Sequence, residues 1–322
     1  MFTLAQLEAA AELVRAVVPP TPQFAWPLLA EASGAQVWVK HENHTPIGAF
    51  KIRGGLTYMH WLKGSGEAVR GVISATRGNH GQSIALAGRR IGVPVVIVVP
   101  RGNSVEKDAA MRSFGAELIV HGQDFDAARE HAERVARERE LHFVPSFDPL
   151  LVQGVATYAL ELFGAVAELD TVYVPIGMGS GICGLIAVRD LLGLKTKIVG
   201  VVAAAAPAVA LSVAAGHPVP TNSARTFADG MACREPHPQA IEFIRRGAER
   251  IVEVGEAEIA DAIRLYYRTT HNLAEGAGAA PLAALLKERS AMRGKSVGLI
   301  LSGGNIDTAI FQAVLQGQTP AA

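Results

Sequence analysis

Short apolar runs rich in β-branched residues alternate along this chain with longer stretches whose apolar positions recur every three or four residues. The runs fall at 36–40, 71–74, 94–99, 117–120, 171–175, 197–202 and 297–301. Stretches of helical period lie between them, among them 81–91, 104–114, 125–140 and 256–268. Strand-helix alternation of this kind predicts an α/β fold with parallel-rich sheets flanked by helices, because parallel neighbours need crossover connections. No repeat of solenoid period is present. Two polar or Pro-rich passages, 63–67 and 145–149, are natural crossings between lobes. They suggest a larger domain made of 1–66 and 149–322, with a smaller α/β domain, 67–148, inserted into it. The stretch 1–18 carries Glu8, Glu12 and Arg15 at helical spacing and predicts a surface helix rather than a signal peptide. The uncharged stretch 198–216 is mostly alanine and carries Pro207, so it reads as a buried strand running into a loop and helix rather than a membrane span.

Of the 322 residues, 49% are apolar and 19% charged, enough for a large core and two lobes. The 30 basic and 30 acidic residues cancel, which leaves no electrostatic footprint for nucleic acid or an anionic membrane. A small-molecule partner is expected instead. Cys183 and Cys233 are the only cysteines and lie far apart, so neither a disulfide framework nor a zinc cluster is expected, and a reducing cytoplasm suits the chain.

Four segments rich in glycine or small residues sit at strand ends, where α/β sheets bind ligands. The first is Ile176-Gly177-Met178-Gly179-Ser180-Gly181-Ile182-Cys183-Gly184, between a strand and a helix. Its glycines let backbone N–H groups approach an anion beside a helix N-terminus. The GxGxxG spacing from Gly179 to Gly184 also fits a dinucleotide turn, but that reading needs an acidic residue roughly 20 positions on. The next strand ends Val201-Val202-Ala203-Ala204 with no carboxylate, so a single phosphate is the better ligand. The second segment runs from His41 through Phe50-Lys51-Ile52-Arg53-Gly54-Gly55. The third is Ser74-Ala75-Thr76-Arg77-Gly78-Asn79-His80-Gly81-Gln82, where the first N–H groups of a helix are placed to grip a carboxylate. The fourth is Leu301-Ser302-Gly303-Gly304-Asn305. Each alone reads as an ordinary turn; the four in this order do not.

Together these segments resemble the fold-type II pyridoxal-phosphate (PLP) enzymes, whose two-lobed architecture is tryptophan synthase β-like. Within them the chain is similar to the threonine/serine dehydratases (ammonia-lyases) and serine racemases, from about Thr21 to Asn305. Phe227-Ala228-Asp229-Gly230 and Glu275-Gly276-Ala277-Gly278-Ala279 also match dehydratase patterns. The resemblance implies that Lys51 is the catalytic Schiff-base lysine and that Phe50 packs on the cofactor ring. It implies that Asn79 meets the ring hydroxyl, the backbone of Gly177, Met178, Gly179, Ser180 and Gly181 binds the phosphate, and Ser302 faces the pyridine nitrogen. Thr76, Arg77, Gly78, Asn79 and His80 would bind the substrate. The implied reaction is β-elimination from a β-hydroxy amino acid such as threonine, giving a 2-oxo acid and ammonia. A homodimer is also implied.

The chain departs from the family pattern in several places. Met178 adds bulk to a loop that is otherwise glycine-rich. Arg77 stands where racemase-like members have a serine, and a guanidinium does not readily give up a proton, so two-base racemisation is not expected. Val202 and Ala204 stand where relatives carry acidic ligands for a divalent cation, so no metal is expected. Ile47-Gly48-Ala49 lacks two hydroxyls of the family motif, which hints at a larger substrate such as phenylserine. No regulatory domain is expected after Gln318, and hence no allosteric feedback. Serine or threonine racemisation and β-replacement remain alternatives on the same fold, and a non-enzymatic PLP-binding protein is a third reading.

Overall fold

The computed structural model describes residues 1–321. In chain order its strands are β1 (Gln23–Ala25), β2 (Gln36–His41), β3 (Val72–Ala75), β4 (Val95–Val99), β5 (Glu117–Val120), β6 (His142–Phe143), β7 (Thr171–Pro175), β8 (Lys197–Ala203), β9 (Arg250–Val254) and β10 (Ser296–Leu301). They form a six-stranded sheet in the order β1-β2-β10-β7-β8-β9 and a four-stranded sheet in the order β5-β4-β3-β6. Only β1 runs antiparallel to its neighbour. The smaller sheet draws all its strands from between Val72 and Phe143, and the larger draws on chain before and after it.

The apolar runs all become strands, central ones except for 117–120, which forms the edge strand β5. All residues of β3 and β4 are buried, as expected of parallel strands covered by helices on both faces. Three strands escaped the hydrophobic pattern, and all are short or at a sheet edge. β1 is largely exposed, β6 has two residues, and β9 places Glu253 in solvent. The first helix, Leu4–Arg15, starts with a Thr3/Gln6 capping box and buries Leu7, Ala10, Ala11 and Val14, so one of its faces belongs to the core. The stretch 198–216 divides into β8 and the helix Ala208–Ala215. Among the described residues no helix is long and apolar enough to cross a membrane.

The helix Lys51–Gly64 is largely buried, and two glycines let it pack closely. A Cβ on Gly55 would stand 2.2 Å from Ser83 Oγ, and one on Gly54 would stand 2.7 Å from the Leu151 carbonyl. Facing it, a Cβ on Gly154 would stand 2.2 Å from the Arg53 carbonyl. The helix therefore touches backbone on two sides.

Its first turn is also tied by charge. Arg53 donates to Glu42 at 2.7 and 3.0 Å and to Glu161 at 2.7 and 2.9 Å, while Lys40 Nζ lies 2.6 Å from Glu161. Thr21 adds its hydroxyl to Glu42 at 2.5 Å. Burial works against these charges, but two cations face two anions, and Arg53 with Lys40 holds the Glu161 carboxyl below its ordinary range. Replacing Arg53 by Met would strand two buried carboxylates with one remaining cation. We expect Arg53→Met to lower unfolding free energy by about 3–5 kcal/mol in urea titration. A loss within experimental error would mean the cluster does not anchor this helix.

Candidate active site

The loops that follow β2, β3, β7 and β10 open at the carboxyl ends of parallel strands and converge on one cavity of about 840 Å³, its mouth included. The loop after β2 and the loop after β10 are joined along their backbones. Phe50 N–H donates to the Ser302 carbonyl at 3.0 Å, Gly304 N–H donates to the Gly48 carbonyl at 2.9 Å, and Ala49 bridges Gly303. This tie holds Lys51, the first residue of its helix, against Ser302.

Lys51 Nζ lies 3.1 Å from Ser180 Oγ and 5.1 Å from the centre of the Phe50 ring. Among the described residues no carboxylate pairs with it. Solvent reaches the side chain only in part, through the cavity that it lines, and protein surrounds the amine otherwise. Burial without a counter-ion disfavours the charged form and draws the Lys51 pKa from 10.5 down to about 8. The same effect acts on His80, whose pKa falls to about 3 through burial and then the charge of Lys51. His80 is neutral at physiological pH, and its Nε2 lies 3.1 Å from Ser74 Oγ. The ring is thus directed to the strand behind it.

Two helix N-termini face this amine's surroundings. In the helix Asn79–Ile91, the Gly78 and Gly81 N–H groups are taken by Thr76 Oγ1 at 2.8 and 3.2 Å. The N–H groups of Asn79 and His80 have no acceptor among the described residues. Gly78 holds φ +151, where a Cβ would stand 2.3 Å from Lys107 Cδ. Thr76 therefore shapes the turn with its lone pairs and keeps its hydroxyl hydrogen to donate.

In the helix Ser180–Leu191 the pattern is stronger. None of the backbone N–H groups from Gly177 to Ile182 finds an acceptor among the described residues. Buried N–H groups are almost always paired, so a row of free ones at a helix start marks a place for an anion. Gly177 is required by close approach, since a Cβ there would stand 2.2 Å from the Gly230 carbonyl oxygen. Met178 points its sulfur to Cys233 Sγ at 3.7 Å, on the cavity wall.

Phe50, Lys51, Thr76, Arg77, Gly78, Asn79, His80, Gly177, Met178, Gly179, Ser180, Gly181 and Ser302 all line this cavity. Ser302 is buried, and its hydroxyl makes no hydrogen bond among the described residues. Arg77 is half-buried, forms no ion pair among the described residues, and keeps its Nε without a partner. Val202 is buried at the end of β8, and neither it nor Ala204 carries a metal-binding oxygen.

The cavity also holds charges that sequence reasoning did not assign to the site: Lys107, Asp229 and Glu275. Lys107 pairs with Asp229 at 2.6 Å and with Glu275 at 2.9 Å, and Glu275 accepts from Asn79 Nδ2 at 2.6 Å. Asn305 Nδ2 donates to Asn79 Oδ1 at 2.8 Å. Asp229 and Glu275 stand inside motifs visible in the sequence. Lys107 lies on a helix that only its periodicity marks, with no local signal for a site.

Known proteins resemble this arrangement over most of its length. The family described as pyridoxal-phosphate dependent enzyme matches residues 14–303. L-threonine ammonia-lyase of Thermotoga maritima is 34% identical over 316 residues, covering 98% of this chain and 78% of the relative. L-threonine ammonia-lyase of Geobacter sulfurreducens is 38% identical over 289 residues, covering 89% and 71%. The structure of maize serine racemase superposes with a TM-score of 0.90 at 27% identity, covering 98% and 97%. The cavity fits such a cofactor: the free N–H row from Gly177 to Ile182 suits a phosphate, and the partly deprotonated Lys51 amine suits an aldehyde.

The pH dependence of cofactor uptake checks the state of Lys51. Only the neutral amine attacks an aldehyde, so the rate at which cofactor-free protein takes up pyridoxal phosphate should rise with pH and level off above about 8. A rate still climbing through 10 would contradict the lowered pKa.

Proposed function

The chain belongs to the pyridoxal-phosphate dependent enzymes, and we propose that it removes water and then ammonia from a β-hydroxy amino acid of the threonine type. The observation that carries this reading is the Lys51 amine, largely enclosed by protein without a carboxylate partner between two helix N-termini with free N–H groups. Pyridoxal phosphate, when bound, supplies an aldehyde that condenses with amines and a ring that withdraws electrons from the substrate α-carbon.

The protein's own groups divide the remaining work. Lys51 would hold the cofactor, and its Nζ would be the group that takes the substrate α-proton; its lowered pKa makes the neutral, proton-accepting form available near neutral pH. The N–H groups from Gly177 to Ile182 receive the phosphate. Phe50 closes the side next to Lys51, its ring braced edge-on by Tyr158 at 6.1 Å. Asn79, with both ends of its amide held, offers one remaining N–H to the ring hydroxyl. Ser302 offers a neutral hydroxyl to the ring nitrogen. A hydroxyl does not hold that nitrogen protonated as a carboxylate does, which favours rapid loss of the β-hydroxyl over transamination.

The substrate carboxylate is taken by the Asn79 and His80 N–H groups and the Thr76 hydroxyl, with Arg77 adding a charge-assisted donor. The cavity wall around Phe125, Met178, Ala232 and Cys233 is largely apolar and suits a substrate with an apolar side chain. The substrate is therefore threonine or a bulkier analogue such as phenylserine.

A panel of β-hydroxy amino acids, read by release of 2-oxo acid and ammonia, tests this. Turnover is expected with threonine or phenylserine, and Lys51→Ala should lose both the visible absorbance of bound cofactor and turnover. Racemised or β-substituted products without oxo acid would refute the elimination reading, and full lyase activity in Lys51→Ala would refute the role of Lys51.

A further inference from the structure

Lys107 belongs to the helix Val105–Ser113, beside the smaller sheet, yet its ammonium reaches carboxylates whose chain segments belong with the larger one. Its Nζ lies 2.9 and 2.6 Å from the two Asp229 oxygens and 2.9 Å from Glu275 Oε2. Both Lys107 and Glu275 are at least 95% buried, at 5% and 3% exposure. The second Glu275 oxygen accepts from Asn79 Nδ2 at 2.6 Å. At the other end of that amide, Asn79 Oδ1 accepts from Asn305 Nδ2 at 2.8 Å, and Asn305 Nδ2 also donates to the Ile47 carbonyl at 2.7 Å.

This chain of contacts allows the Asn79 amide one orientation. Turned over, it would set Oδ1 against the Glu275 carboxylate and Nδ2 against the Asn305 donor, two repulsive contacts in a partly buried setting. One Asn79 N–H is then spoken for by Glu275, and the other remains for the cavity. The arrangement holds while Glu275 is an acceptor only. A protonated carboxyl is also a donor, and it would remove one of the two contacts that fix the Asn79 amide, leaving Asn305 alone to orient it.

We propose that Lys107 is a positioning residue for the reaction: spanning the cavity to Asp229 and Glu275, it holds the Glu275 carboxylate against the Asn79 amide and so fixes the N–H that meets the cofactor. The proposal rests on the reading of the cavity given above. The groups facing Glu275 are Lys107, Asp229 and Asn79; burial and the like charge of Asp229 favour its protonation, and Lys107 is the one cation opposing them. The net effect raises the Glu275 pKa even with Lys107 in place, and without that cation it should rise further.

The test uses Lys107→Met, Lys107→Arg and the double variant Lys107→Met/Glu275→Gln, each loaded with pyridoxal phosphate, with cofactor dissociation measured against pH. Lys107→Met should bind cofactor roughly 10- to 100-fold more weakly, the scale of a lost buried charged partner. Its affinity should weaken further as pH falls, more steeply than in the wild type, and this dependence should be absent in the double variant. Lys107→Arg should restore most of the affinity. A Lys107→Met protein with lowered thermal stability but wild-type cofactor affinity and pH profile would overturn the proposal. If Lys107→Met does not fold, Glu275→Gln alone decides: its amide removes one of the two contacts that orient Asn79, so weakened cofactor binding is expected and wild-type binding overturns the proposal. Lys51→Ala separates the two levels. Cofactor absorbance that survives in that variant defeats the reading of the cavity, whereas Lys51-dependent absorbance with a flat Lys107→Met profile defeats the positioning role alone.

Discussion

Protein surrounds the Lys51 amine without giving it a counter-ion. Elsewhere in this chain a buried cation is matched at once: Arg53 and Lys40 share Glu42 and Glu161, and Lys107 has Asp229 and Glu275. Lys51 has only a serine hydroxyl and the face of a phenyl ring. An unmatched buried ammonium is costly, and the cost appears as a pKa near 8 instead of 10.5. A lysine that is to react with an aldehyde and later accept a proton needs that state, and everything near it serves to preserve it. His80 stays neutral, and the Asp229 and Glu275 carboxylates that line the same cavity are already occupied by Lys107.

Such a site has to be held rigidly, because an amine free to move would reach water or a carboxylate. The rigidity comes from glycine and from charge. Gly54, Gly55 and Gly154 bring the Lys51 helix into backbone contact with its neighbours, and the four-charge cluster at Arg53 ties down its first turn two residues beyond the amine. The backbone link from Phe50 to Ser302 then places the two ends of the larger sheet's central strands on one frame. Lys107 reaches across from the smaller sheet's side and completes the enclosure.

The central strands were legible in the sequence because burial on both faces leaves an uninterrupted apolar run, as in β3 and β4. Edge strands carry a weaker mark: β5 still shows as the run 117–120, but the sequence pattern does not reveal β1, β6 or β9. The four loops around the cavity were legible for a different reason: free N–H groups and close backbone approach demand glycine or small residues, as at Gly177 and Gly78. What the pattern did not reveal is the ion-pair network. Lys107 lies 122 residues from Asp229 and 168 from Glu275, and a contact set by the meeting of distant segments leaves no local signature. The Asn79–Asn305 pair, 226 residues apart, is hidden in the same way, although each asparagine sits in a segment that the sequence singles out.

The most direct test of the account is to load the protein with pyridoxal phosphate, reduce it with borohydride and map the labelled peptide by mass spectrometry. The account predicts a single phosphopyridoxyl-lysine, at Lys51, because that amine alone combines a cavity position with freedom from any carboxylate. A label at Lys107, or one spread over surface lysines with Lys51 unmodified, would contradict it.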